Sequence, residues 1–228
     1  AFETAQSLPQ FCSSLLELRL CGNDKLGDGV AHWLADVLPQ RGLQLLDLSK
    51  TGLTSSGILR LAQALPSAVI GPLHVLRLSG NRDCGDAGAA ALAAVLEAST
   101  VADLSLASCG IGDAGCSAIA GSASKLCKLE LGGNRDIGNA GVIDLCNVLS
   151  KGRSNLHRLG LGATGMGDEG ATGLSKAIKS MPSLMALDMD GCDDIGHSGW
   201  LWMSEALPHA PGVQLKPFQG GEFASGPF

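Results

Sequence analysis

The sequence predicts an α/β fold, an arc-shaped solenoid of about seven repeated units with parallel strands along its concave face and helices along its convex face. One observation is self-similarity, since a leucine-centred segment recurs every 25 to 30 residues. A second is the alternation of leucine at the start of each copy, which is typical of a half-buried strand. A third is the helical spacing of apolar residues at its end. One such unit cannot bury its apolar face alone, so the units must stack.

The strand of each unit carries a pattern close to Leu-x-x-Leu-x-Leu. The first copy is LLELRLCGNDKLGDG, which starts at residue 15, and the seventh is LMALDMDGCDDIGHSG, which starts at residue 184. The leucine at the centre of each pattern aligns the copies. These central leucines are Leu18, Leu46, Leu76, Leu104, Leu129, Leu159 and Leu187.

A polar turn follows each strand, and its length alternates along the chain. The odd-numbered copies place two residues between the key turn position and the next apolar residue, as in NRDC, whereas the others place one, as in CGI. A helix begins after the turn, at a residue whose short polar side chain is predicted to cap that same helix. The predicted caps are Asp28, Ser55, Asp86, Asp113, Asn139 and Asp168, with the poorer cap His197 in the last copy.

The sevenfold pattern L-x-x-L-x-L-x-x-[N/C/T], over about residues 15 to 210, resembles the leucine-rich repeat family. The unit length near 28, the full helix in each unit and the two turn lengths are similar to its ribonuclease-inhibitor-like subtype. The resemblance implies a buried ladder of side chains that satisfy backbone groups in the turns. The ladder positions hold Asn23, Thr51, Asn81, Cys109, Asn134, Thr164 and Cys192.

Three segments are predicted along the chain. Residues 1–14 resemble the end of a preceding repeat or an N-terminal flank, and residues 15–212 form the repeat array. Residues 213–228 contain a last strand, near Val213 to Leu215, and a tail rich in Gly, Pro and Phe. Because the chain starts without Met, we expect a piece of a longer repeat protein or a processed chain. The tail is expected to dock on the array or on a partner.

Composition and motifs argue against several classes of function. The net charge of −6 disfavours nucleic acid and anionic membranes as partners, and no apolar run is long enough for membrane insertion. Eight cysteines without a CxxC motif predict reduced, buried thiols in an intracellular protein, either cytoplasmic or within a large cytoskeletal or organellar assembly. GNRDCGDAG lacks the GK[ST] of a phosphate loop and LDMDGCDD lacks EF-hand spacing, so no cofactor or metal is expected.

The five histidines form no catalytic constellation, because none has a Ser or Cys partner at a recognisable spacing. The chain is therefore predicted to be a non-enzymatic scaffold for protein–protein interaction, a subunit or segment of a larger assembly with another protein as partner. The alternative is a GTPase-activating leucine-rich repeat protein that binds a small GTPase, because such proteins resemble this subtype. A fragment of an immune or signalling sensor would need a nucleotide-binding domain, of which this sequence holds no sign.

Outward-facing strand residues and the turns after the ladder supply candidate partner-binding positions on the concave face and its rim. One row of strand positions is almost entirely small, and two interpretations stay open. Either the face is smooth and weakly interacting, or its small residues let the backbone of a partner approach closely. Solvated surface charge is the alternative for the charged positions. The candidates are Arg19, Asp47, Arg77, Arg82, Asp83, Glu130, Arg135, Arg158 and Asp188.

Two tryptophans are the candidates on the convex face. Trp33 and Trp202 occupy the same position of their helices, where other copies carry Arg, Asp, Ala or Gly, so we expect both to face outward. Exposed tryptophan favours a binding role. The alternative is packing against a neighbouring repeat or a terminal segment, since both lie in the end units. Trp200 is expected to help cover the last repeat.

Overall fold

A computed structural model describes residues 15–37, 42–65, 73–151, 154–209 and 214–216. Within these residues, eight short parallel strands form one open sheet, and their order in space is their order in the chain. The strands are β1 (Glu17–Arg19), β2 (Leu45–Asp47), β3 (Val75–Arg77), β4 (Asp103–Ser105), β5 (Lys128–Glu130), β6 (Arg158–Gly160), β7 (Ala186–Asp188) and β8 (Gln214–Lys216).

A helix follows each of the first seven strands, and each helix packs against the next one along the chain. The fold is therefore the α/β solenoid that the sequence predicts, with a sheet face on one side and a helix face on the other. The helices in the described residues are α1 (Gly29–Val37), α2 (Ser55–Ala64), α3 (Gly85–Leu96), α4 (Asp113–Ala123), α5 (Asn139–Lys151), α6 (Asp168–Ile178) and α7 (His197–Ala206), and a short 3-10 turn (Leu207–His209) follows α7.

The central leucines hold all eight strands in a single register. Leu18 pairs with Leu46 at one end of the sheet, and Leu187 pairs with Leu215 at the other. Every position of the repeat therefore lies in a straight row across the sheet. Leucines such as Leu46 and Leu76 are fully buried between the sheet and the helices, where they belong to one continuous hydrophobic core. The last strand, which the sequence places near Val213 to Leu215, covers Gln214–Lys216, and Val213 lies outside the described residues.

The ladder side chains satisfy the backbone groups that the turns leave open. The Asn81 amide donates from Nδ2 to the carbonyls of Leu48 (2.9 Å) and Leu78 (2.7 Å). Its Oδ1 accepts the N–H groups of Thr51 (3.1 Å) and Leu53 (3.0 Å), which belong to the preceding unit. Asn81 is 1% exposed, so these bonds are shielded from water. One asparagine thus ties two consecutive units together.

At the other ladder positions, amides, hydroxyls and thiols form the corresponding hydrogen bonds to the backbone. Asn134 repeats the bonding of Asn81 one pair of units further along. The Cys109 and Cys192 thiols donate to the carbonyls of Leu78 and Leu161, each in the preceding unit, at 3.2 Å and 3.1 Å. Thr51 and Thr164 donate to the strand carbonyls three residues before them. Asn23, at the edge of the array, is exposed and donates only to Leu20 and Cys21.

Five of the predicted helix caps are wrong in one respect, because their side chains bind the following unit and not their own helix. The predicted cap Ser55 is also wrong, since the preceding Thr54 caps α2 by accepting the N–H of Ser56. Asp86 lies in the first turn of α3, yet its Oδ1 accepts the N–H groups of Gly112 (2.7 Å) and Gly115 (3.0 Å) at the start of α4. The reason is geometric: the stacked helices bring the first turn of each one against the start of the next. The same bonds link Asp113, Asn139 and Asp168 to the helix that follows, and Asp28 accepts from Thr54.

The two turn lengths also have a packing reason. In a unit with the short turn, the turn glycine lies directly beneath a backbone carbonyl of the longer turn before it. Gly52 lies against Asp24 in this way, and Gly110 lies against Arg82. A side chain at either glycine would collide with that carbonyl oxygen. Each long turn thus packs its backbone against the glycine of the short turn in the next unit. This packing is a physical reason for long and short turns to alternate.

The cysteines of the described residues are all free thiols, and Cys12 lies outside those residues. Cys84, Cys109, Cys116, Cys146 and Cys192 are buried, Cys127 is half-buried and Cys21 is exposed. In the same part of the chain, no helix combines the length and the apolar character that crossing a bilayer requires.

Candidate protein-interaction surface

The outward side chains of the sheet face lie in three rows, because all strands share one register. The row before the central leucines holds Glu17, Leu45, Val75, Asp103, Lys128, Arg158 and Ala186. The row after them holds Arg19, Asp47, Arg77, Ser105, Glu130, Gly160 and Asp188. A third row, two residues further on, holds Cys21, Ser49, Ser79, Ala107, Gly132, Gly162 and Asp190.

In the first half of the sheet face, the charged candidates form ion pairs within the face. Arg19 forms an exposed ion pair with Glu17 at 2.9 Å. Arg77 lies 3.8 Å from Asp47, whose side chain is only 2% exposed and also accepts the N–H of Ser49 at 3.0 Å. Asp47 is therefore a buried anchor for Arg77 and the turn, whereas the sequence places it among the outward-facing residues. Arg77 keeps part of its surface open.

In the second half, Glu130 does not project from the sheet but bends over glycines. Its Oε1 accepts the N–H of Gly132 at 2.9 Å. Its carboxylate fills the space beside Gly160, where a Cβ atom would collide with both oxygens and Cδ. The pKa of Glu130 is raised from 4.5 to about 7, chiefly by burial and to a smaller extent by the nearby Asp188, against the opposing effect of the Gly132 N–H.

Asp188 repeats this arrangement two strands further along the same row. Its side chain is 6% exposed, and its Oδ1 accepts the N–H of Asp190 at 3.0 Å. A Cβ atom on Gly162 would lie 3.1 Å from that oxygen and 2.8 Å from the carbonyl of Asp190. Burial raises the pKa of Asp188 above its usual value, and the Asp190 carboxylate adds to the shift. We call Gly132, Gly160 and Gly162, with the two folded carboxylates, the glycine floor.

Basic side chains stand beside the glycine floor, in the row before the central leucines. Lys128 forms a 3.0 Å ion pair with Asp103, and both side chains remain partly exposed, at 36% and 26%. Arg158 is the next residue of that row and is half-buried. This side of the sheet therefore places an arginine and an ion-paired lysine next to a smooth floor whose own carboxylates are turned inward.

The rim and helix-face candidates lie apart from that floor. Arg82, Asp83 and Arg135 are exposed on the turns after the ladder. Trp33 is half-buried against the hydrophobic core, so it does not face outward as the sequence suggests. Trp202 is 50% exposed. The two tryptophans, which share one position of the repeat, thus have different surroundings.

Two features of the sheet face escape the sequence. Residue patterns place Glu130 and Asp188 outward, and only the positions of Gly160 and Gly162 in the neighbouring strands hint that the carboxylates can fold down. The hydroxyls of Ser79 and Ser105 lie 2.6 Å apart, across two strands. In the described residues, no group of three or more His, Cys, Asp or Glu side chains could hold a metal ion.

Comparison with known proteins identifies the array. A family model described as Leucine Rich repeat matches residues 98–120 and 123–146. Ribonuclease inhibitor of Sus scrofa is 33% identical over 220 residues, which cover 93% of this chain and 46% of the inhibitor. The chain is a leucine-rich repeat protein. Its similarity to ribonuclease inhibitor, together with the helix in every unit and the two turn lengths, agrees with the ribonuclease-inhibitor-like subtype.

Further relatives of this leucine-rich repeat protein share parts of it. Tonsoku-like protein of Bos taurus is 32% identical over 240 residues, covering 87% of this chain and 17% of that protein. The crystal structure of the Rad7 and Elc1 complex in yeast has the same fold, with a TM-score of 0.57 and 18% identity over 91% of this chain and 56% of that one. The chain spans less than half the length of these curated relatives.

The ionisation of Glu130 gives a testable prediction for this leucine-rich repeat protein. Because its pKa rises from 4.5 to about 7 in the folded state, the unfolded chain releases this proton first as pH increases, and stability falls between those values. Glu130→Gln keeps the acceptor for Gly132 and removes the charge. We expect it to change unfolding free energy little at pH 5 and to raise it by about 2 kcal/mol at pH 8.

Urea unfolding at both pH values measures this difference. Glu17→Gln, at an exposed position on the same face, is the matched control, and we expect no such gain at pH 8. An equal effect of Glu130→Gln at pH 5 and pH 8 would show that the carboxylate is solvated and not folded onto the glycine floor.

Proposed function

We propose that this chain is a non-enzymatic scaffold for protein–protein interaction and that it binds another protein across the sheet face. The observation that carries the proposal is the glycine floor beside Lys128 and Arg158. The glycines leave room for the carboxylates of Glu130 and Asp188 to fold down over the sheet, and the resulting low surface lets the backbone of a partner approach closely. The neighbouring cations then meet acidic groups of the partner and determine its orientation.

The charge and shape of the face define the kind of partner. The chain as a whole carries a net charge of −6, so a polyanion such as nucleic acid meets general repulsion and finds only two or three local cations. A folded protein or an extended segment with acidic side chains matches both the local cations and the open floor. Ribonuclease inhibitor, a relative by sequence, is named for an action on an enzyme, which supports binding to another protein as the mode of action here.

The proposal includes an intracellular, cytoplasmic location and a place within a larger assembly. Five buried free thiols support the location, because reduced cysteines are typical of intracellular proteins. The chain spans 46% of ribonuclease inhibitor and 17% of Tonsoku-like protein. We therefore propose only that its partner is another protein, and we name no individual partner. GTPase activation is the alternative function and rests on the subtype resemblance alone.

The decisive experiment is affinity purification from the native source, with mass spectrometry of the proteins retained. The unaltered chain is compared with Lys128→Glu/Arg158→Glu, which reverses the charge beside the floor. We expect the double variant to weaken binding of the main partner at least tenfold, about 1.4 kcal/mol, with unchanged secondary structure by circular dichroism.

The matched control makes the same charge change on the helix face. Lys176→Glu/Lys179→Glu alters two exposed lysines at the end of α6, and we expect it to retain the partner. Equal retention by both double variants would overturn binding at the sheet face. Faster GTP hydrolysis on addition of the chain to a retained GTPase would instead favour the alternative function.

A further inference from the structure

A groove lies between α5 and α6 on the helix face. Its volume is about 570 Å³, and Ile143 and Asn147 are among the residues of α5 that line it. A Cβ atom on Gly173 of α6 would lie 3.1 Å from Cγ1 of Ile143, so the two helices approach each other closely in the middle of the groove. Four residues of α6 line the other side, and we call them the α6 stripe: Glu169, Thr172, Gly173 and Lys176.

The α6 stripe is charged at its two ends and low in the middle. Its members are spaced three, four and seven residues from the first one, so they share one face of the helix. Glu169 and Lys176 are exposed at the ends, about 10.5 Å apart along the helix axis. Thr172 and Gly173 are half-buried between them, and the Thr172 hydroxyl donates to the carbonyl of Asp168 in its own helix at 2.8 Å. The middle of the stripe is therefore open to a second helix.

The stacking of the repeats does not require the charges of the α6 stripe. Of the seven described helices, only α6 carries opposite charges at the two end positions of this stripe. Within the described residues, neither Glu169 nor Lys176 forms an ion pair. In the other helices the two end positions hold Gly29 and Asp36, Ser56 and Gln63, Ala87 and Ala94, Ala114 and Gly121, Ala140 and Asn147, and Ser198 and Glu205.

The charge pattern of the α6 stripe is complementary to itself. An antiparallel helix with the same stripe places its lysine opposite Glu169 and its glutamate opposite Lys176. Two-fold symmetry produces this arrangement, because it makes each copy contact the other through the same residues. The small middle residues let the two helix axes approach to about 8–10 Å, at which both charged side chains reach across. A segment of uniform charge would instead be repelled at one end of the stripe.

The helices on both sides of α6 are compatible with the same contact. On α7, Leu201 and Trp202 occupy the repeat positions of the two middle residues of the stripe, and each is 50% exposed. The two-fold axis that pairs the stripes therefore also brings Trp202 against Leu201 of the second copy, which buries apolar surface. On α5, the Ser117 hydroxyl donates to Asp144 at 2.7 Å and holds that carboxylate toward α4, away from the groove.

We propose that the α6 stripe is a dimerisation surface, on which α6 of a second copy of this chain packs antiparallel, with Glu169 of each copy against Lys176 of the other. Leu201 and Trp202 extend the contact over α7. The dimer forms through the helix face and leaves the sheet face open, so the inference is independent of the proposed binding of another protein there. Lys176→Glu/Lys179→Glu is accordingly expected to lose the dimer and retain that partner.

Sedimentation equilibrium of the full chain, over about 1 to 500 µM, tests the proposal. We expect the unaltered chain to dimerise in this range. Glu169→Lys and Lys176→Glu each create two like-charge contacts in the dimer, so each should raise its dissociation constant at least tenfold. Lys179→Glu is the matched control, because this lysine is exposed at the end of α6 but lies outside the stripe, and it should leave the dissociation constant unchanged.

An equimolar mixture of the two single variants gives the sharpest result. A copy with two lysines on the stripe then faces a copy with two glutamates, so we expect the mixture to dimerise again although neither variant does so alone. A monomeric unaltered chain at every concentration would overturn the proposal. A dimer that tolerates both charge reversals, or a mixture that stays monomeric, would also overturn it and would place any self-association at another surface.

Discussion

Asn81→Ala is expected to lower the free energy of unfolding by about 3–5 kcal/mol, among the largest effects available to a single substitution in this array. The amide of Asn81 bonds two carbonyls and two N–H groups of the main chain, all inside the turns and shielded from water. Alanine leaves these groups without partners and cannot admit enough water to replace them. Urea unfolding followed by circular dichroism measures the loss.

The array provides its own matched control for this substitution. Asn23 occupies the same position of the repeat but lies exposed at the edge, where it donates only to nearby carbonyls. We expect Asn23→Ala to cost less than about 1 kcal/mol, because water can take over those bonds. If the two alanine variants lost the same stability, the ladder would not derive its strength from burial of the bonded groups.

Gly110→Ala is the second substitution with a large expected effect, a loss of about 2–4 kcal/mol. Gly110 has a φ of +68°, a conformation that a residue with a side chain adopts only with strain. An added Cβ atom would also collide with the carbonyl oxygen of Arg82 in the preceding turn. Because that oxygen belongs to the backbone, the collision can be relieved only by moving one turn away from the other.

Gly121→Ala separates this effect from a general intolerance of alanine. Gly121 lies on the exposed side of α4, and nothing stands within 4 Å of the Cβ atom it would gain. Alanine favours helix over glycine, so we expect stability to be unchanged or to rise by up to about 1 kcal/mol. Thermal unfolding of both variants makes the comparison. Similar midpoints for the two would contradict the packing of the short turn beneath the long one.

Some predictions from the sequence depend on which residues of neighbouring units surround a side chain, and the local sequence pattern does not specify those residues. The sequence predicts that Asp86 caps its own helix, since a short acid at a helix start usually does so, but its carboxylate binds Gly112 and Gly115 of the next unit. Trp33 and Trp202 share one repeat position, yet only Trp202 is exposed. Both differences arise from neighbouring units, whose distance to a side chain follows from stacking and not from local pattern.

In the candidate site on the sheet face, the sequence likewise predicts the position of each residue but not the direction of its side chain. The spacing of the leucines predicts which row of the sheet face each charged residue joins, because alternation along a strand assigns each residue to one face. This holds for Arg77, Lys128, Glu130 and Arg158. The spacing does not predict whether a charged side chain projects from the sheet or folds down onto it. Glu130 bends over Gly160 only because β5 and β6 are neighbours in register, which places an empty glycine beside its carboxylate.

The sequence by itself determined the repeat, the strand and helix of each unit, the ladder positions and the parallel sheet, since periodic apolar residues allow only one way to bury their faces. The tertiary structure decided which side chains join one unit to the next and which remain open to a partner. Those outcomes depend on contacts between residues 26 to 31 positions apart in the chain, where a missing Cβ atom or a nearby backbone N–H group determines the direction that a carboxylate takes.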